Sequence, residues 1–506
     1  MANKSKLPNI LFIQVDQLPP SALSFHGNRV TKTPHLDQLA KESAIFDAAY
    51  CNYPLCGPSR SSMMTGQLAS RIGAYDNGTD FPTSIPTMAH YLRALGYRSA
   101  LSGKMHFVGP DQLHGFEERL TAEIYPTDFK WTPNWQKNAT EFHAPDTRFT
   151  SNIGVAKWTG QMDHDEEVVF RSVNKIYDWA RDPDERPFFL LTSLTHPHDP
   201  YICTQEYWDR YDESEIDLPK ISLTNEQQDP HSQRVRSIYG LDRVEMDESR
   251  LRTLRHGYFG NVSYIDDKVG QLLDALELTG LAENTIVLFT SDHGEMLGER
   301  NLIQKKTFFE DATRVPLLIK MPNGQSAGQR HDEHVSLVDL LPTLVDFADQ
   351  DGEVDRLSPL DGESLVPLLS NGSLARENVV YSENLSESVT APLLMVRRDQ
   401  WKLIWCPTDP TILYNLAQDP DELENLAGNS DYTDVEAALI DELHQQWDVD
   451  ALHQQVLQSQ RQRQLIAAAL DQGQYQDWQG DLPRSGQLGY MKRKQFYHDW
   501  NDAGKL

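Results

Sequence analysis

Apolar runs of strand length alternate with helical stretches along the first three quarters of the chain, and this alternation restricts the fold more than any other feature. Ile10–Val15 reads as a buried strand ending at Asp16, and Ser99–Leu101 as a second strand. Phe188–Leu194 forms a third that runs to His196, and Thr285–Thr290 a fourth that ends at Ser291-Asp292-His293. One helix is expected from Pro34, where the missing N–H would be unsatisfied anyway, and another from Pro86 to Gly96. A long amphipathic helix covers roughly residues 245–278, broken near Gly257 and Gly260. Strand and helix in this order predict an α/β fold with a large, mixed, mostly parallel sheet flanked by helices on both faces. After about residue 385 the pattern changes. Leu394–Val396, Trp401–Cys406 and Ile412–Leu416 predict an antiparallel meander, followed by a Gln-rich helix at Leu452–Leu470 and an aromatic, mixed-charge tail at Tyr475–Leu506. The division expected is an α/β domain at 1–385, a small α+β subdomain at 386–440, and a helical extension with an extended tail at 441–506.

Three of the apolar strands end on carboxylate or imidazole: Asp16, His196, and Asp292 with His293. In open α/β sheets, ligands bind just beyond the carboxyl ends of strands, so these residues can converge although they are far apart in sequence. Composition narrows the partners. With 46 Lys+Arg against 75 Asp+Glu, the formal charge is −29. That charge repels phosphate backbones and anionic lipid, which excludes nucleic acid and membrane surfaces as partners. No apolar run approaches the ~18 residues of a membrane span. The acidity also sets a condition: an anionic small-molecule substrate needs a local basic pocket. Met1–Pro8 is short and polar, unlike a secretory signal. The four cysteines, Cys51, Cys56, Cys203 and Cys406, are scattered without CxxC spacing. A cytoplasmic, reducing location is therefore expected, and there a cysteine in a special context serves chemistry rather than crosslinking.

Cys56 stands in such a context. Cys56-Gly57-Pro58-Ser59-Arg60, continuing to Thr65-Gly66, resembles the signature C-x-P-S-R-x-x-x-x-T-G of formylglycine-dependent sulfatases of the alkaline phosphatase superfamily. A buried structural cysteine ahead of a turn would explain Pro58 but not the rest of the match. The resemblance extends over essentially the whole chain. It implies an alkaline phosphatase/sulfatase-like fold, hydrolysis of a sulfate ester, and oxidation of Cys56 to formylglycine by a formylglycine-generating enzyme. An aldehyde suits the task. Its hydrate offers one hydroxyl to attack sulfur, and loss of the proton from the second then expels sulfate. An ordinary cysteine would be left as a thiosulfate with no such exit.

The same resemblance implies a metal site built from Asp16, Cys56, Asp292 and His293. Many family members carry paired acids after the first strand, whereas the second position here is Gln17. Asp-His in place of the commoner Asp-Asn is a form associated with choline sulfatases and phosphonate monoester hydrolases. Oxygen-rich ligands favour one hard divalent cation, Ca²⁺ first, with Mg²⁺ and, given the imidazole, Mn²⁺ also open. A basic group completes the catalytic set: Arg60, Lys104 and His106 in Gly103-Lys104-Met105-His106, His196 in Thr195-His196-Pro197-His198, and Lys305. These cations would meet the condition set by the acidic composition, neutralising charge on a bound sulfate. One of Lys305, His106 and His196 is expected to protonate the leaving oxygen. Lys306 and His198 are read as neighbours without a role.

Within the family the resemblance is to choline sulfatases, through Leu101–Trp131, THPHDPY at 195–201, QQDPHSQR at 227–234 and the C-terminal extension. It implies choline O-sulfate as substrate. A quaternary ammonium group donates no hydrogen bond, so its pocket needs aromatic faces and carboxylates. Trp131 takes the position of an aromatic wall, with Asn77 beside it. In that subgroup the tail of one subunit closes a neighbour's site, which implies a homo-oligomer, dimer or tetramer. Here the tail keeps Tyr490-Met491 and then diverges, leaving Asp499 as the nearest acid. Hydrolysis of another small alkyl or aryl sulfate, or of a phosphonate monoester or phosphodiester, is the alternative. A non-catalytic relative is disfavoured because Cys56, Arg60, Lys104 and Lys305 are all present.

Overall fold

Strand β1 (Asn9–Asp16) is buried along its whole length, as a near-continuous apolar run is when it has strands on both edges and helices on both faces. The computed structural model describes residues 7–137, 148–349, 352, 354–356 and 359–473 and places β1 inside an eight-stranded sheet. In chain order its companions are β2 (Ala44–Phe46), β3 (Arg98–Gly103), β4 (Glu118–Arg119), β5 (Phe188–Pro197), β6 (Thr285–Ser291), β7 (Leu317–Lys320) and β8 (Arg330–His331). Across the sheet they run β8-β2-β7-β6-β1-β5-β3-β4. β1 lies parallel to β5 and β6, and β3 parallel to β5. β7 is antiparallel to β6 and β2. The sheet is thus mixed and mostly parallel, as the alternation of strand and helix predicts.

Adjacent residues of β5 reveal the two covered faces, because successive side chains of a strand point opposite ways. Ser193 Oγ accepts a hydrogen bond of 2.8 Å from Arg60 on α1 (Cys56–Thr65). Thr192 donates at 3.0 Å to Ser172 on α2 (Gly160–Arg181), which covers the other face together with α3 (Glu248–Thr279). α3 is continuous through Gly257 and Gly260, where a break was expected. A Cβ at Gly257 would lie 2.2 Å from Tyr201 O, and one at Gly260 2.5 Å from Cys203 Sγ. These glycines let the helix touch the 201–203 segment rather than bend it.

A second sheet, wholly antiparallel, runs β9 (Val379–Asn384), β10 (Leu393–Arg398), β11 (Trp401–Trp405) and β12 (Ile412–Asn415). The last three strands form the expected meander. β9 precedes residue 386, so the sheet begins on the near side of the boundary drawn from composition. Helix α4 (Thr433–Gln446) packs on β10 and β11, and α5 (Val449–Leu470) follows it. Lys402 of β11, fully buried, pins this unit to the larger one: its Nζ lies 2.6 Å from Glu310 and 2.7 Å from Glu422. A cation so far from water requires such partners. Among the described residues no helix is long and apolar enough to cross a membrane.

Candidate active site

Cys56 is the first residue of α1, and Leu55 before it is extended. The helix N-terminus therefore turns its positive dipole end toward whatever Cys56 faces, while Pro58 has no N–H and Gly57 N is taken by Asn77 Oδ1. One turn later Arg60, fully buried, reaches back to the sheet. Its Nε donates to Asp292 Oδ2 at 2.8 Å and its Nη2 to Asp16 Oδ2 at 2.9 Å. A single guanidinium thus ties the carboxyl ends of β1 and β6 to the helix that carries Cys56.

The four residues expected around a metal come together. Cys56 Sγ lies 3.3 Å from His293 Nε2 and 3.8 Å from Asp16 Oδ1, and His293 Nε2 lies 3.7 Å from Asp292 Oδ1. One ligand atom from each of the four falls within 4.8 Å of all the others, and all four residues are buried. His293 Nδ1 faces Gly294 O at 3.0 Å, which leaves Nε2 turned to the cluster. Two carboxylates, one imidazole and the oxygens that formylglycine would present at position 56 make a donor set that fits a hard divalent cation.

Gln17, where many relatives carry an acid, lies beside this cluster with its groups engaged by its neighbours. Its backbone takes the left-handed region with φ of 67°, and its N–H donates to Asp292 Oδ1 at 3.1 Å. Its amide bridges Lys305, from which the oxygen accepts, and buried Glu295, to which the nitrogen donates. Gln17 therefore positions a cation and orients a ligand. Nothing in the bare sequence signals this, because the partner Glu295 lies 278 residues away.

The basic residues surround the same point. Lys104 Nζ is 2.6 Å from Asp16 Oδ2, 3.7 Å from Cys56 Sγ and 4.5 Å from the ring centre of Tyr125. Lys305 Nζ is 3.0 Å from His198 Nε2. Burial raises the pKa of Asp16, but Lys104, His198, Arg60 and His293 outweigh it and hold the carboxyl well below its ordinary value. Burial, then the charge on Asp16, push the Cys56 thiol up to about 11. Unmodified, it is a neutral thiol and a poor nucleophile.

His106 carries φ of 59° and gives its backbone N–H to Glu123 at 2.8 Å. Burial, and Lys104 beside it, hold its imidazole down to about 3. Both ring nitrogens are buried with no partner among the described residues. Such a group costs about 1–3 kcal/mol unless something pairs with it, as a bound substrate oxygen would. Asn77 Oδ1 accepts from Gly57 N at 2.9 Å, and a Cβ at Gly57 would meet Asn77 Oδ1 at 2.8 Å and His106 at 3.4 Å. Asn77 and His106 therefore both lie against the head of α1.

The two histidines of Thr195-His196-Pro197-His198 part company. His196 turns to α2, where its Nδ1 meets Asp165 Oδ2 at 2.7 Å. His198, a neighbour without a role on the sequence alone, sits 3.9 Å from Asp16 Oδ1 as well as against Lys305. Lys306 turns away and pairs with Glu387. Trp131 closes a short helical turn at Phe129–Trp131 and is 46% exposed. A Cβ at Gly78 would lie 2.7 Å from Trp131 C, so the loops of Asn77 and Trp131 are packed together. Asp499 lies outside the described residues.

An anionic ester held at the strand ends is the substrate such a cluster suits, and residues 8–350 match the Sulfatase family model. The chain belongs to the sulfatase family and is a sulfuric ester hydrolase. Residues 298–448 also match the C-terminal model of N-sulphoglucosamine sulphohydrolase. The chain is 42% identical over 495 residues to the choline-sulfatase of Rhizobium meliloti, covering 96% of each. It is 28% identical over 454 residues to an arylsulfatase of Clostridium perfringens, covering 84% of this chain and 91% of that one. Among solved structures, a phosphonate monoester hydrolase of Agrobacterium radiobacter shares the fold with a TM-score of 0.71 at 23% identity, covering 88% of this chain and 96% of that one.

Proposed function

We propose that this sulfatase hydrolyses choline O-sulfate to choline and sulfate in the cytoplasm, with Cys56 matured to formylglycine by a formylglycine-generating enzyme. One divalent cation, Ca²⁺ ahead of Mg²⁺ or Mn²⁺, would be held by Asp16, Asp292, His293 and residue 56. The observation that carries the substrate is similarity to a choline-sulfatase along 96% of both chains. The grouping of four ligand atoms within 4.8 Å supports the metal. Four buried, free cysteines agree with a reducing compartment.

The cation, when bound, supplies a Lewis acid at the sulfate oxygens. Formylglycine supplies the carbonyl carbon that the attacking hydroxyl requires. The chain's own residues do the rest. Arg60 fixes Asp16 and Asp292 and keeps the head of α1 against the sheet. Lys104 and Lys305 flank Cys56 and oppose the negative charge that develops on the sulfate. Burial works against the charge on Lys305; Cys56, while it is a thiol, and the carboxylates of Asp199 and Asp16, which remain after maturation, oppose that and keep the proton on the amine. Burial is the main reason the His198 imidazole stays neutral, held down to about 3. Lys305 therefore donates to His198 Nε2, and this pair provides the proton for the leaving oxygen. His196, locked on Asp165, orients this end of β5 instead. Lys305→Ala should lower kcat on any sulfate ester by about 10²–10³-fold, the loss typical of one such donor. A steady-state kcat within a few-fold of wild type would remove Lys305 from the chemistry.

Trp131 would present its exposed ring to the trimethylammonium group, with Asp499 from the tail of a neighbouring subunit as the countercharge in a dimer or tetramer. A cation over an aromatic face contributes about 0.5–2 kcal/mol, and about 1.4 kcal/mol is a factor of ten. Trp131→Ala should therefore reduce kcat/KM on choline O-sulfate by about tenfold. Turnover of 4-nitrophenyl sulfate, which has no cation to recognise, should stay close to wild type. Equal losses on both would make Trp131 a packing residue. The alternative, phosphonate monoester or phosphodiester hydrolysis, predicts faster turnover of phenyl phosphonate esters than of sulfates with the same leaving group.

A further inference from the structure

Helix α5 lies beyond both family-model matches, at residues 8–350 and 298–448. From it Arg463, 3% exposed, makes a two-pronged pair with buried Asp76: Nη1 donates to Oδ1 and Nη2 to Oδ2, both at 2.7 Å. The same Nη1 donates to Thr132 Oγ1 at 3.1 Å. These partners belong to the two loops that carry Asn77 and Trp131. Asp76 precedes Asn77 and accepts from Gly78 N at 2.9 Å, and Thr132 follows Trp131 directly. Neighbours on the same helix face reinforce the grip. Gln460 Oε1 accepts from Trp135 N at 2.9 Å, and Gln464 Nε2 donates to Pro133 O at 3.1 Å. Positions 460, 463 and 464 are the spacing that brings side chains onto one face of a helix.

A buried fork-to-carboxylate pair is costly to desolvate and adds geometric precision more than net stability. The sulfate side of the site does not need it, because Arg60 already ties Asp16 and Asp292 to α1. We infer that Arg463 is a positioning residue for substrate selection, holding the Asn77 loop and the Trp131 wall at the separation that the alkyl part of the ester requires. This rests on Trp131 being a ligand wall, as proposed above.

Arg463→Lys keeps the charge and loses the planar fork. The enzyme should be assayed on choline O-sulfate, on other small alkyl sulfates, and on 4-nitrophenyl sulfate. On the alkyl ester that the wild type prefers, Arg463→Lys should lose about tenfold in kcat/KM, carried by KM, and about threefold or less on the aryl sulfate. In a double-mutant cycle on the alkyl ester, adding Arg463→Lys to Trp131→Ala should cost little more than Trp131→Ala alone, since the wall it holds is gone. Additive losses, equal losses on both classes of ester, or an unchanged KM would overturn the inference. Should Arg463→Lys fail to fold, Asp76→Asn, which keeps the volume and loses the pair, takes its place in the same cycle. A wild type that prefers another alkyl ester to choline O-sulfate overturns the substrate reading alone, and the cycle run on that ester still decides the role of Arg463.

Discussion

Cys56→Ser will lose sulfatase turnover by several orders of magnitude, although serine keeps an oxygen where formylglycine would have one. The reason lies in the number of hydroxyls. A serine has one, so a sulfate transferred to it can leave only by direct attack of water on sulfur. A hydrated aldehyde has two on the same carbon, and the second supplies the exit. The unmodified thiol fares no better, because its pKa of about 11 leaves it protonated in a buried site. Two measurements check this together: kcat on 4-nitrophenyl sulfate, and the tryptic mass of the wild-type segment around residue 56. Near wild-type turnover by Cys56→Ser would show that the carbonyl carbon is not used. A wild-type sample with a cysteine mass and full activity would show the same without any substitution.

How much of this was legible beforehand depends on the distance over which each feature is decided. β1, β5 and β6 are legible because a strand buried on both faces must be apolar throughout, and their last residues mark the carboxyl edge where ligands bind. Asp16, Asp292 and His293 could therefore be placed from local sequence alone. The meander at 393–415 is legible for a similar reason. The choice between His196 and His198 is not, because both fall on the same parity and the end of β5 is irregular, its register with β1 shifting between Ser193 and Pro197. Only the packed neighbours separate them: Asp165 of α2 takes His196, while Asp16 and Lys305 take His198. Gly257 and Gly260 misled in the ordinary way: in a helix they read as breaks until the chain that packs against them is known. Gln17–Glu295 and Asp76–Arg463 join residues 278 and 387 positions apart. No periodicity or motif reports pairs of that kind. They are the contacts that convert a recognisable set of candidate residues into a particular geometry.

Asp292→Ala should remove metal, activity and stability at once, and the three losses have separable causes. Asp292 offers one of the four clustered ligand atoms. It also accepts from Arg60 Nε at 2.8 Å and from Gln17 N at 3.1 Å. Removing one partner of a buried ion pair typically costs about 3–5 kcal/mol, because the charge left behind has no water to turn to. Here Asp16 still pairs with Arg60 at 2.9 Å, so the lower end of that range is expected. A cation that binds only the folded protein adds stability by mass action, so chelation should lower the melting temperature of the wild type but leave Asp292→Ala almost unmoved. Asp292→Asn separates the terms further, since it keeps the volume and an oxygen while removing the charge. It should bind metal weakly and recover part of the folding stability without recovering turnover. Metal content per chain, melting curves with and without chelator, and kcat on one sulfate ester give the three readouts. An Asp292→Ala enzyme with full metal content and wild-type turnover would place the metal elsewhere. One that loses turnover but keeps both metal and the response to chelator would leave Asp292 a role only as the partner of Arg60.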